Sequence, residues 1–129
     1  MGITANFGLS ASTGGDVAYG TLGKYKYVQG DTGPQIRFTF SSQDTGALTD
    51  LSGGQVLLHL RPVGGSVILT RALVVSTPAT NGVAIVAWEP GDLDVEEGTY
   101  EAEIEVILSN GVRETLFDIL VLQIRADFA

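Results

Sequence analysis

Gly98-Thr99-Tyr100-Glu101-Ala102-Glu103-Ile104-Glu105-Val106-Ile107-Leu108 is the stretch whose periodicity decides the fold. Tyr100, Ala102, Ile104, Val106 and Leu108 share one parity, and Glu101, Glu103 and Glu105 share the other. A helix would scatter three Glu spaced by two around its circumference, whereas a strand gathers them on one face. Residues 98–108 therefore read as a strand with one buried face. Asn110-Gly111 follows at once, and this dipeptide is the strongest short hairpin signal.

Working outward, the neighbouring segments repeat that pattern. Ile36, Phe38 and Phe40 alternate with Arg37 and Thr39. In residues 55–63, Val56, Leu58 and Leu60 oppose Leu57, His59 and Arg61. Gly64-Gly65 reads as a two-residue turn, with residues 66–75 returning antiparallel. Asn81-Gly82 closes a loop before a strand at 83–88. Residues 24–29 alternate weakly, and residues 112–125 read as a strand broken near Asp118, where the apolar phase changes. Pro34, Pro62, Pro78 and Pro90 fall at or near strand ends, where a missing N–H does least harm. No ten-residue helical period occurs. Seven or eight short strands joined by turns indicate an antiparallel β-sandwich.

Residues 1–23 differ from the rest. They hold six Gly and a single charge, Asp16. Phe7, Leu9 and Tyr19 are among their spaced apolar anchors. This segment is expected to be an extended arm that orders against a neighbouring subunit, leaving 24–129 as the sandwich domain.

Composition limits the function. A chain of 129 residues makes one domain. A net charge of −8 disfavours nucleic acid and anionic membrane surfaces. No Cys is present, which excludes disulfides, thiolate nucleophiles and Cys-ligated metals, and one His leaves little triad chemistry. No signal-peptide pattern and no bilayer-length apolar run occur. Charged residues make up 17%, against ~25% in ordinary soluble domains, and mean hydropathy is +0.24. Several segments are apolar in both phases, notably 67–69, 73–75 and 119–122. Part of the surface is therefore expected to be covered, by the arm or by other subunits.

Two resemblances follow from these residues. Gly98-Thr99-Tyr100 entering the penultimate strand resembles the tyrosine corner of immunoglobulin-like domains. The position two residues later, a Cys in antibody domains, is here Ala102. The ordered run Val28-Gln29-Gly30-Asp31-Thr32-Gly33-Pro34, Asp44-Thr45-Gly46, Thr49-Asp50-Leu51-Ser52-Gly53, Trp88 with Asp92-Leu93, Gly98-Thr99-Tyr100 with Glu103, and Asn110-Gly111 with Glu114-Thr115-Leu116-Phe117 is similar to the N-terminal domain family of phage upper baseplate proteins. That resemblance implies an immunoglobulin-like virion module that anchors receptor-binding or fibre parts to the tail tip. Its partners would be other virion structural proteins, with a homo-oligomer in the particle. A capsid decoration protein is the alternative, and a carbohydrate-binding module using Trp88 and Tyr residues is a third reading.

No residue is assigned a catalytic, cofactor or metal role. His59 sits on a strand face rather than in a cleft, so it is read as structural or interfacial. Glu89, Asp92, Asp94, Glu96, Glu97, Glu101, Glu103 and Glu105 are eight of the fifteen acids, with no base among them. They are read as a solvated acidic edge that blocks strand addition, over a calcium loop, whose spacing they lack, or a glycosidase carboxylate pair. Lys24, Lys26 and Arg37 are the basic counterpart for such a face on a neighbour. The interface residues expected are Phe7, Leu9, Tyr19, Tyr25 and Tyr27, the last two on an edge strand.

Overall fold

The computed structural model describes residues 9–13, 21–42, 45–117 and 119–128, with backbone alone at 9–13, 21 and 22. Ten strands follow in chain order: β1 Leu9–Thr13, β2 Thr21–Val28, β3 Ile36–Ser42, β4 Gln55–Pro62, β5 Leu69–Ala72, β6 Val74–Val75, β7 Val83–Val86, β8 Gly98–Ile107, β9 Arg113–Thr115 and β10 Ile119–Arg125. One 3-10 turn, Ala79–Asn81, is the only helical element among the described residues.

The strands form two facing sheets. One runs β1-β3-β7-β6, and the other β2-β10-β8-β4-β5, with β9 also paired to β8. All ladders are antiparallel except β2 with β10. This is the strand order of an immunoglobulin-like sandwich, in which the first, second, fifth and fourth strands face the third, sixth and seventh. β9 and β10 are two halves of one broken final strand. They pair with opposite halves of β8, on either side of the break read near Asp118.

Period-two patterning builds the core. Ile36, Phe38, Phe40, Val56, Leu58, Leu60, Ala102, Ile104, Leu120 and Leu122 are all at most 1% exposed. Phe38 and Phe40 stack with centroids 5.9 Å apart. The Tyr100 hydroxyl donates to the Glu96 carbonyl at 2.5 Å, which is the tyrosine corner expected from sequence. The Asn110-Gly111 hairpin also forms. Gly111 N–H bonds the Leu108 carbonyl at 2.9 Å, and the Asn110 side chain accepts from Val112 N–H at 2.9 Å.

Three expectations change. Residues 66–75 are not one strand: β5 lies in one sheet and β6 in the other, and buried Leu73 marks the crossing. In the apolar run 73–75, Leu73 is buried and Val75 packs against the core, while Val74 between them faces outward. Gly64-Gly65 does not make a two-residue turn either. The β4–β5 ladder closes at Leu60 with Leu69, and the Gly65 N–H caps the Pro62 carbonyl at 2.8 Å inside a wider loop. Pro62 has no N–H with which to extend that ladder. Finally, within the stretch read as an arm, Leu9–Thr13 lie antiparallel along β3 of the same chain, and β2 begins at Thr21, ahead of residue 24.

Candidate interaction surfaces

The outer face of the larger sheet is ionic. Register places His59 and Arg61 of β4 beside Glu103 and Glu101 of β8. Arg61 bonds Glu101 at 2.9 Å. His59 Nε2 meets Glu105 Oε1 at 3.0 Å, and Arg113 of β9 donates to Glu105 Oε2 at 2.7 Å. Glu105 is buried, and these contacts hold its carboxyl below the ordinary range. The His59 hydrogen bond contributes most and Arg113 next. His59 Nδ1 contacts Thr70 Oγ1 at 2.9 Å. Thr70, His59 and Glu105 thus share the connectivity of a hydroxyl–imidazole–carboxylate relay. Their setting is a sheet face, where backbone N–H groups lie in the sheet plane rather than aiming at a reacting oxygen. What the trio does here is tie β5, β4 and β8 together.

The solvated acidic edge expected from sequence takes a different form. β8 is an interior strand, and four of the eight acids are ion-paired. Arg71, on the inner side of edge strand β5, reaches both Glu89 and Asp92, whose own side chain is 5% exposed. Burial pushes Asp92 up. The Arg71 hydrogen bond, the Glu89 N–H and the Arg71 charge outweigh it, so the carboxyl lies below its usual value. An inward charge of this kind also blunts an edge strand. Among the described residues, no three His, Cys, Asp or Glu side chains converge as a metal site. No described helix is long and apolar enough to cross a membrane.

The expected interface residues separate. Phe7 and Tyr19 lie outside the described residues. Leu9 is in β1, opposite Ser42. Tyr25 is half-buried against the core. Tyr27 is the correction. β2 is an edge strand as expected, but Tyr27 is 3% exposed and points inward. Its hydroxyl donates to the Pro34 carbonyl at 2.9 Å and accepts from Trp88 Nε1 at 3.1 Å. Burial raises its pKa to about 12, with the Trp88 hydrogen bond acting against that rise. Trp88, 5% exposed and edge-on to the Tyr27 ring, offers no platform for a sugar. Arg37 lies on the other sheet from Lys24 and Lys26, so the three do not form one patch.

Other side chains are the outward ones. Phe117 is 97% exposed and Phe128 is 92% exposed, and Val63, Val67, Ile68, Val74 and Leu48 are exposed as well. Val67 and Ile119 line one shallow hollow beside His59 and Glu103. A larger groove of about 520 Å³ lies at the end of β2, lined by Lys26, Val28, Asp31, Pro34, Thr99 and Arg125 among others. The Arg125 guanidinium stands 4.7 Å over the Phe128 ring. Phe117 was legible only as the residue before the strand break, because sequence does not say which side of a break faces water.

Strand order and tyrosine corner define an immunoglobulin-like β-sandwich module. Among solved structures, the chain is similar to CopC from Methylosinus trichosporium OB3b at 9% identity and a TM-score of 0.44, covering 81% of this chain and 87% of that one. It is also similar to fibronectin(III)-like modules of Clostridium thermocellum CbhA at 10% identity and a TM-score of 0.45, covering 91% and 98%. A third likeness is to AggA, the major subunit of aggregative adherence fimbriae type I from Escherichia coli, at 14% identity and a TM-score of 0.39, covering 95% and 98%. No protein-family model matches the chain, and no curated protein sequence does.

Proposed function

We propose that the chain is a non-enzymatic structural module of a phage particle, of the tail or baseplate type, that joins neighbouring virion subunits through its sheet edges and outward apolar side chains. The observation that carries the assembly role is the near-complete exposure of Phe117 and Phe128. Large apolar rings held almost wholly in water are groups that another molecule can cover. The phage setting is supported by the ordered motifs at residues 28–34, 49–53, 98–100 and 110–117.

The test is incorporation. Phe117→Ser with Phe128→Ser removes two outward rings and no core contact. Purified variant should unfold at the wild-type temperature yet be depleted several-fold from particles. Equal incorporation of variant and wild type would refute docking through these side chains. The arm reading has its own test. Removing residues 1–22 would strip β1 and the start of β2, so the informative truncation is 1–8, which spares every strand among the described residues. That truncated chain should fold and fail to incorporate.

A further inference from the structure

We propose that the free edge of β2, with the groove at its end, is a docking track for an extended acidic segment of a partner protein, which adds to the sheet as a further strand. β2 spans eight residues, and among the described residues it pairs with β10 alone. Among the described residues, alternate N–H and C=O groups along its other edge have no ladder partner, save the Val28 carbonyl, which accepts from Asp31 N–H. Register places Lys24 beside Val121, Lys26 beside Gln123 and Arg125 beside Val28, so all three bases share the outer face. All three are exposed, and none makes a carboxylate ion pair among the described residues. In a chain of net charge −8 this margin is a local concentration of uncompensated positive charge. Lys26 and Arg125 both line the 520 Å³ groove, where Asp31 is the one acid.

Charge selects the occupant. Two β2 strands pairing with each other would bring Lys24 and Lys26 against their own kind, and like charges directly opposite are destabilising. The chain's own residues 1–20 carry only Asp16. The acids Asp94 and Glu96 of a second copy lie in a turn-rich loop, not an extended segment. A partner strand with acids at alternate positions satisfies both the ladder and the lysines, since opposite charges across a strand pair attract. Lysines on an edge ordinarily discourage promiscuous pairing. Here they do so while leaving one class of partner favoured.

The proposal rests on the assembly reading only for where the partner comes from, and its test needs no particle. The probe is an acetylated decapeptide of alternating Thr and Glu, compared with its Thr/Gln analogue, titrated into the full chain at low salt and followed by backbone amide shifts. The Thr/Glu peptide should give saturable shifts at residues 21–28 and bind at least tenfold more tightly than the Thr/Gln peptide. K24E/K26E, changed at two exposed positions, should keep the wild-type unfolding temperature and lose that advantage. N-methylation of alternate peptide residues should abolish binding. Silent β2 amides, equal affinity for the two peptides, or full binding by K24E/K26E or by the N-methylated peptide would overturn the proposal. If wild type is absent from particles while the peptide binds, the virion assignment fails and the docking track stands.

Discussion

At the scale of single residues, Tyr27 shows how much one hydroxyl can organise. It is buried between a carbonyl acceptor and an indole donor that lie far apart in the chain. Tyr27→Phe leaves Trp88 Nε1 and the Pro34 carbonyl without this partner, and should cost about 1–3 kcal/mol in urea unfolding. Its pKa of about 12 also predicts an alkaline limb. The folded state keeps the proton while an unfolded Tyr, at 10.0, loses it. Stability is then fully present below pH 10 and falls as pH rises toward 12, by roughly 3 kcal/mol. In the folded chain the tyrosinate absorbance of this residue should rise near pH 12 rather than near pH 10. Thr49 presents the opposite case. Its Oγ1 is buried without a hydrogen-bond partner among the described residues. Thr49→Val should raise stability by about 1 kcal/mol, because the orphan hydroxyl is removed at similar shape. A lower melting temperature would show that the hydroxyl is satisfied in solution.

At the scale of elements, β8 carries the larger sheet, and Glu105 is its most connected polar group. The Glu105 carboxyl titrates below its ordinary 4.5 in the folded chain. The stability it contributes is present above that value and lost as pH falls through the folded pKa. Glu105→Gln should flatten this acid limb and cost about 1–3 kcal/mol at neutral pH, since His59 and Arg113 then lose their anion. Thermal melts between pH 3 and 7 would show whether the two curves converge at low pH as expected. Gly82 anchors another junction. It has φ 69°, and a Cβ there would lie 2.7 Å from the Phe40 carbonyl oxygen and 2.9 Å from that of Thr49. Gly82→Ala should cost at least ~2 kcal/mol.

The alternation in β3, β4 and β8 was legible because each strand has one dry face, which a period of two reports directly. The ion pairs were only half legible. Glu101, Glu103 and Glu105 repeat every two residues, as do His59 and Arg61, but only the register of β4 against β8 shows that they meet. The change of sheet at Leu73 was hidden because an apolar run looks alike whether it serves one layer or two. Tyr27 was misplaced for a related reason: alternation with Lys24 and Lys26 fixes opposite faces, not which face is buried.

At the scale of the whole molecule, the sandwich closes its core well and leaves its exterior uneven. Opposite charges pair across β4, β8 and β9 on the outer face of the larger sheet, and apolar groups protrude from the loop at 63–68 and at Phe117 and Phe128. Exposed apolar loops and a basic edge strand are what the proposed assembly role calls for, a part held at fixed stoichiometry by several neighbours. Copy number then distinguishes tail from capsid, since a few to a few dozen chains per particle mark a tail component and hundreds mark decoration of the shell. The most direct measurement is quantitative mass spectrometry of gradient-purified phage particles. A virion module should persist through purification at a constant ratio to the tail proteins. A chain that washes away and remains as free monomer in the lysate would contradict the account.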